Sequence, residues 1–260
     1  MRPIPLSADP SFDDPDWPRG HDRIILPEVD STNAEAARRA ATLHAPTWIM
    51  AIRQTSGRGR RGRVWHDPGG NFAATLVMHP PEPAGDVALR SFVAALALHD
   101  ALTALTGRPE ALSLKWPNDV LLNGAKLAGI LLESVGEGRG VRYLAIGIGV
   151  NLRNAPPAEP GALRPASLSQ DLGLTIAPQE LLTHLAAAYA GREAQLQAGG
   201  FAPIRASWLV RAAYLGAPLT ARAGGTETRG IFETIDATGA LVLNTPDGPR
   251  RIAAADVFFS

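Results

Sequence analysis

The residues of this 260-residue sequence with the clearest chemical potential gather in two segments. The first, Gln54-Thr55-Ser56-Gly57-Arg58-Gly59-Arg60-Arg61-Gly62-Arg63-Val64-Trp65, interleaves glycines with arginines. Glycines let a backbone approach a ligand closely, and guanidinium groups offer paired donors to carboxylate or phosphate oxygens. The pattern describes a loop for a polyanion. It lacks the GxxxxGK[ST] order of a Walker A loop. Taken alone, it fits a solvated basic loop or an RGG-like nucleic-acid segment equally well.

The second segment runs from Lys115-Trp116-Pro117-Asn118-Asp119 to Lys126-Leu127-Ala128-Gly129-Ile130-Leu131-Leu132-Glu133. Lys126 opens an almost wholly apolar strand, where a cation needs an anionic partner or substrate unless it snorkels from the strand end. Asn118-Asp119 after a proline reads either as a functional pair or as a turn.

Elements that must position these groups follow from periodicity and punctuation. Asp30-Ser31-Thr32-Asn33 supplies a capping residue ahead of the helix formers Ala34 to Ala40. Trp48 to Ile52 and Asn71 to Met78 read as strands, the second stopped by Pro80-Pro81, and Val87 to Leu105 as a central helix, apolar nearly all round and ended by Gly107. Leu112 to Trp116, Val120 to Leu122 and Lys126 to Glu133 read as strands, the last two joined by a two-residue Asn123-Gly124 turn. Arg142 to Val150 is a further strand, expected to pair with these and to offer an exposed edge through which two copies could associate. Pro178 to Gln197 and Pro203 to Ala213 are helical. Beyond Gly216, the short strands Leu219–Ala223, Arg229–Asp236, Ala240–Asn244 and Arg250–Ala253 suggest a small β-barrel.

The expected organisation is therefore a flexible tail over 1–22, an α+β domain with a mixed or antiparallel sheet over 23–213, and a small β domain over 214–260. Lys+Arg and Asp+Glu are equal at 25 each, which gives no global field for nucleic acid or an anionic membrane. No cysteine is present, which excludes disulfides and thiolate chemistry and is compatible with a cytoplasmic setting. No metal-binding His spacing occurs, and no stretch reaches the roughly 18 consecutive apolar residues of a membrane helix.

Together, the two segments resemble the biotin–protein ligase family, in which a GRGRRGR-type loop is followed by KWPNDxxxxxxKLAGIL. The resemblance extends to Asp30-Ser31-Thr32-Asn33 upstream and Gly147-Ile148-Gly149-Val150-Asn151-Leu152 downstream, all in order. It implies a biotin/lipoate ligase-like catalytic domain with an SH3-like C-terminal barrel, to which Gly230-Ile231-Phe232 and Asp236 to Leu243 are looser matches.

The implied activity is ATP-dependent formation of biotinyl-5′-AMP, with magnesium accompanying ATP, and transfer to a lysine of a biotin carboxyl carrier protein. The resemblance implies that Ser31, Thr32, Asn33, Gln54 and Gly57 line the biotin pocket and that Gly129 lets backbone lie against biotin. Arg58, Gly59 and Arg60 would cover the biotin carboxylate and the adenylate phosphate, in a loop that orders on ligand binding. Lys126 matches the catalytic lysine, and Arg58 and Asp119 act with it, Asp119 near the incoming amine. Arg61, Arg63, Asn118 and Asn151 would sit on the nucleotide side, with Trp65 over the adenine ring. The Pro/Asp-rich stretch before Asp30 does not fit a DNA-reading domain, so the resemblance is to the catalysis-only form. A lipoate–protein ligase of the same superfamily is the nearest rival. A catalytically silent binding protein is opposed by the presence of Lys126, Asp119 and Arg58, and a nucleic-acid binder by the zero net charge.

Overall fold

A computed structural model describes residues 15–137, 140–223 and 225–259. Strands β1 (Asp22–Val29), β2 (Thr47–Gln54), β3 (Phe72–Met78), β4 (Leu112–Lys115), β5 (Asp119–Leu122), β6 (Ala125–Glu137) and β7 (Gly140–Val150) form one sheet in the order β1-β2-β3-β7-β6-β5-β4. β1 and β2 run parallel, and every other neighbouring pair is antiparallel. Helices α1 (Thr32–Arg39), α2 (Ala84–Val87), α3 (Arg90–Thr106), α4 (Leu168–Leu172), α5 (Pro178–Gly199) and α6 (Phe201–Val210) complete this part of the chain.

Side chains alternate across the sheet with a period of two. Trp48, Met50, Phe72, Leu76, Ile146 and Ile148 point to the face covered by α3 and α5, where they join one large buried cluster. Ile49, Val77 and Ala145 point the other way, against Ala36 and Ala40 of α1. The second face is thinly covered, and toward β5 and β4 it opens into a cavity. A slip of one residue in any central strand would exchange the two faces, so the apolar pattern that packs α3 also fixes which residues reach the cavity.

The central helix is apolar nearly all round because it is surrounded: Phe92, Val93, Leu96, Leu98 and Leu102 are all buried. Burying each leucine contributes about 2 kcal/mol relative to exposure. The expected single helix breaks at Ala88-Leu89 into α2 and α3, and Gly107 ends it at φ 65 with its N–H bonded to the Thr103 carbonyl. The Asn123-Gly124 turn has positive φ at both residues, 49 and 77, as a tight hairpin requires.

One expectation is overturned. β7, the strand Arg142 to Val150 read as a candidate exposed edge, is paired on both sides from Leu144 to Val150, with β3 and with β6. Its run of Ala, Ile, Gly and Val suits an interior strand buried on both faces. From Leu144 to Val150 the strand therefore offers no free edge to a second copy. β1, which the sequence reading did not identify, forms one outer edge of the sheet, and β4 the other, with Leu114 bridged to Ala212.

The C-terminal sheet comprises β8 (Pro218–Ala223), β9 (Thr226–Ile235), β10 (Leu241–Thr245), β11 (Gly248–Ile252) and β12 (Asp256–Phe259), antiparallel in the order β11-β10-β9-β8-β12. Leu219, Phe232, Ile235, Leu241 and Leu243 belong to the same buried cluster as the main sheet. Trp116 donates its Nε1–H to the Gly239 carbonyl at 3.0 Å, and a Cβ on Gly239 would lie 2.7 Å from Phe92. Of the expected tail, 1–14 lies outside the described residues; Trp17 donates to the His21 carbonyl at 2.8 Å and stacks beneath the Arg23 guanidinium.

Candidate active site

One row of cross-strand partners organises the cavity. Ala73 of β3 pairs with Gly149 of β7, Gly149 with Gly129 of β6, Gly129 with Asp119 of β5, and Asp119 with Lys115 of β4. Directly paired residues point to the same face, so the row presents two bare glycines beside a carboxylate and then an ammonium. The cavity above it encloses about 500 Å³.

The end over β2 and β3 is a closed polar cluster. The Thr32 backbone N–H and hydroxyl both donate to Gln54 Oε1, at 2.8 and 3.1 Å. Thr75, the one hydroxyl in an otherwise apolar strand, lies 2.8 Å from Thr32 Oγ1 and 2.6 Å from Asn33 Oδ1. Asn33 donates to Glu133 at 2.7 Å, and the same carboxylate ion-pairs with Arg58 at 3.6 Å. Gly147 must be glycine, because a Cβ there would lie 2.2 Å from Asn33 Oδ1. Ser31 occupies the N-cap position of α1, but its side chain makes no cap bond.

The arginine-rich loop folds over this floor. Trp65 lies across the two glycines of the row: a Cβ on Gly149 would come within 2.5 Å of the indole, and one on Gly129 within 3.2 Å. Gly57 packs beneath the loop, where a Cβ would meet the Trp65 carbonyl at 2.6 Å, so its glycine serves the loop's own packing. Arg60 reaches Asn118 Oδ1 at 3.3 Å. Arg61, at φ 56, and Arg63 both bond Asp256 at the start of β12, which brings the C-terminal sheet to the cavity wall. Gln54 N–H and Gly69 N–H hold Asp67 at the far end of the loop.

The opposite end is cationic. Lys126 Nζ is 2.7 Å from Asp119 Oδ1, and Lys115 Nζ is 3.7 Å from Asp119 Oδ2. Burial pushes the Lys115 pKa down, with Asp119 opposing the shift. Burial also lowers Arg60, reinforced by the neighbouring Arg61 charge. The Lys126 backbone is clamped by Arg164 and Ala166, whose segment also closes the wall near Asn151. Asn151 Nδ2 bonds the Ala166 carbonyl at 3.0 Å, while its Oδ1, like Trp65 Nε1, is buried without a hydrogen-bond partner among the described residues. Unsatisfied buried polar atoms lining a cavity are natural contacts for a ligand.

Ser31, Thr32, Asn33 and Gln54 thus line one end of the cavity. Arg58, Gly59, Arg60, Arg63 and Trp65 form its cover, and Asn118, Asp119, Lys126, Gly129 and Asn151 the rest of the wall. Gly57 and Arg61 support the cover without lining it. Sequence reading passed over Thr75, Glu133, Asp256, Gly147 and Gly149 as site residues and gave Lys115 no role. The i, i+2 spacing of Gly147 and Gly149 was a usable signal, since it bares one face of a strand.

Residues 25–151 match the family described as Biotin/lipoate A/B protein ligase family, and residues 214–260 match Biotin protein ligase C terminal domain. The biotin--[acetyl-CoA-carboxylase] ligase of Paracoccus denitrificans is 55% identical over 238 residues, covering 90% of this chain and 99% of that protein. A bifunctional ligase/repressor of Bacillus subtilis is 34% identical over 239 residues, 90% of this chain and 73% of its own length. Among solved structures, a biotin protein ligase from Aquifex aeolicus in complex with biotin and ATP superposes with a TM-score of 0.79 at 25% identity, covering 92% of this chain and 99% of that one. By its matched segments and by its identity to a relative that it covers almost end to end, the chain belongs to the biotin–protein ligases of the biotin/lipoate A/B protein ligase family.

Proposed function

We propose that biotin lies along the cross-strand row, with its ureido head at Thr32, Asn33 and Gln54 and its carboxylate at Lys126, and that ATP enters from the Arg60, Asn118 and Asn151 side. The enzyme is a biotin–protein ligase: it joins biotin to AMP at the expense of ATP and passes the biotinyl group to a carrier-protein lysine. The observation that carries the site assignment is the order of chemistry across the sheet: a polar cluster over β2 and β3, a flat glycine floor on β7 and β6, then Lys126 and Asp119. Biotin has the same order, a hydrogen-bonding bicycle, an apolar chain and a carboxylate. From its position over the floor, Trp65 belongs beside the apolar chain of biotin.

In the first step a biotin carboxylate oxygen attacks the α-phosphorus of ATP. Lys126 offsets the negative charge that gathers on the phosphoryl oxygens, an effect worth several kcal/mol in a preorganised site, and the family resemblance adds Arg58, which in the ligand-free chain is ion-paired with Glu133. Asp119 holds the Lys126 ammonium at 2.7 Å and thereby fixes its direction. In the second step an acceptor lysine amine attacks the mixed anhydride and must lose a proton, for which Asp119 is the adjacent carboxylate. Magnesium enters with the nucleotide substrate, held by its phosphates.

The same reading takes 23–213 as the catalytic part and 214–260 as a C-terminal domain that completes the cavity through Ala255, Asp256 and Val257. The acceptor is a biotin carboxyl carrier protein and the setting the cytoplasm. The test is pyrophosphate exchange and carrier labelling with ATP, magnesium and either biotin or lipoate. Exchange and labelling that require biotin are expected; dependence on lipoate instead would overturn the reading.

A further inference from the structure

The polar end of the cavity is one connected set of hydrogen bonds, and two of its members stand behind the lining. Thr32, Asn33 and Gln54 line the cavity, whereas Thr75, fully buried on β3, and Glu133 on β6 do not. A carboxylate only accepts, so the 2.7 Å contact with Glu133 fixes which way the Asn33 amide is turned: its nitrogen faces Glu133, and its Oδ1 faces Thr75 at 2.6 Å. A hydroxyl has one proton to give. Thr75 gives its proton to Asn33 Oδ1, and its oxygen, 2.8 Å from Thr32 Oγ1, is left as an acceptor.

Thr32 therefore has two places for its own proton, Gln54 Oε1 at 3.1 Å and Thr75 Oγ1 at 2.8 Å. Gln54 Oε1 carries two lone pairs, one of them taken by the Thr32 backbone N–H at 2.8 Å. When the Thr32 proton swings to Thr75, the second lone pair opens to a ligand N–H. With the Asn33 amide turned the other way, its nitrogen would donate to Thr75 and the Thr75 proton would go to Thr32. The Thr32 proton would then be confined to Gln54 Oε1, and that oxygen would be saturated.

We propose that Glu133, acting through Asn33 and Thr75, sets the direction of this chain of hydrogen bonds and so keeps Gln54 able to accept from a ureido N–H of biotin. Glu133 and Thr75 are positioning residues: they touch no ligand, and they decide the donor and acceptor pattern that the head group meets. The inference rests on the biotin orientation given above. A bicycle with oxygen in place of the ureido nitrogen would leave the opened lone pair of Gln54 without a partner and would be rejected for that reason.

The test is calorimetric titration of the full chain with biotin. Glu133→Lys puts a group that only donates beside Asn33 and reverses the chain, and the expected result is a biotin Kd raised about tenfold or more. Glu133→Gln, whose amide can present either atom, divides the chain between its two directions and should weaken biotin only about twofold to threefold. Thr75→Val removes the hydroxyl at nearly constant volume, leaves the Thr32 proton on Gln54 and should raise the Kd about tenfold; Thr75→Ser should keep most of the affinity. In the Thr75→Val background, Glu133→Lys should add no more than about twofold, because the relay is already cut. Should Thr75→Val fail to fold, the comparison of Glu133→Lys with Glu133→Gln decides alone, since that side chain is 42% exposed. Multiplying losses in the double variant, equal losses in Glu133→Lys and Glu133→Gln, or a loss of ATP affinity as large as that of biotin would trace the effect to Arg58, released from its ion pair with Glu133, and overturn the proposal. Unchanged biotin affinity in Glu133→Lys would also overturn it where Gln54→Leu weakens binding. Undiminished affinity in Gln54→Leu would instead overturn the placement of the head group beneath it.

Discussion

Asp256 accepts a hydrogen bond from Arg63 Nη2 at 3.0 Å and another from Arg61 through the same carboxylate oxygen, so that β12 of the C-terminal sheet holds the glycine–arginine loop of the main sheet. The loop is anchored at its other end by Asp67, which accepts from the backbone of Gln54 and Gly69. Two carboxylates from opposite sides thus fix a segment whose glycines would otherwise let it sample many conformations.

Asp256→Ala should free the loop with little effect on global stability. The arginines are largely exposed, 45% for Arg61 and 68% for Arg63, and such pairs are each worth at most about 1 kcal/mol. The expected outcome is a melting temperature close to that of the unaltered chain together with faster tryptic cleavage between Arg58 and Arg63 in the ligand-free protein. Unchanged cleavage would mean that the loop is held by its own packing.

Lys126→Ala removes the ammonium that faces both the floor and Asp119. Adenylate formation should fall at least about 100-fold, while far-ultraviolet circular dichroism and the melting temperature stay near those of the unaltered chain, because the side chain is 37% exposed. Substantial residual adenylation would move the main electrostatic role to Arg58.

The residues most legible in the sequence were those whose type is improbable for its surroundings. Lys126 at the head of an apolar strand and four arginines among glycines point to an anion site when taken together, although each alone also fits a snorkelling lysine or a solvated loop. α3 was legible because a helix apolar on every side has to be central. Asp256, Glu133 and Thr75 gave no such signal: each is an ordinary polar residue whose partner lies far away in the chain, Asp256 at Arg61 and Glu133 at Asn33, so their roles exist only after the sheets have assembled. The position of β7 was misjudged for the same reason. A strand's own residues say that it is buried, but edge or interior is decided by which neighbours pair with it. Lys115 lay in the most recognisable motif and still had no assigned role, because the cross-strand register that aligns it with Gly129 and Gly149 cannot be read from spacing along one strand.

Gly149→Ala tests the assignment of the glycine floor. Its Cβ would fall 2.5 to 2.8 Å from three atoms of the Trp65 indole, too close without displacing the ring. Crowding of this kind typically costs about 1–3 kcal/mol, which at about 1.4 kcal/mol per tenfold weakens binding by roughly fivefold to 100-fold. Calorimetric titration should show that loss for biotin, with the KM for ATP nearly unchanged. Shortening the cover as well, in Gly149→Ala with Trp65→Ala, should not recover biotin affinity, because Trp65 is itself a contact. Equal weakening of biotin and ATP would place the nucleotide over the glycines instead.

Arg90 lies away from the cavity and tests the scaffold. Its side chain, only 2% exposed at the start of α3, donates to Glu193 of α5 at 2.7 and 3.1 Å and to Glu82 at 3.1 Å, and Tyr189 adds a bond to Glu193 at 3.3 Å. Removing one member of such a buried ion pair strands the others, at a cost of about 3–5 kcal/mol. Arg90→Met should therefore lower the melting temperature by about 10 °C, at roughly 2–4 °C per kcal/mol for a chain of this size, with kcat/KM at low temperature preserved. The deficit should also depend on pH. Burial opposes ionisation of Glu82, but the hydrogen bond and charge of Arg90 prevail and hold its carboxyl below the ordinary value of 4.5. A depressed carboxylate pKa contributes stability that is fully present above the unfolded-state value and is lost as pH falls through the folded-state value. The gap in melting temperature between the unaltered chain and Arg90→Met should accordingly be widest near neutrality and narrow below pH 4.5. A gap that stays constant down to acid pH would mean that Arg90 stabilises the α3–α5 contact through packing of its stem rather than through its charge.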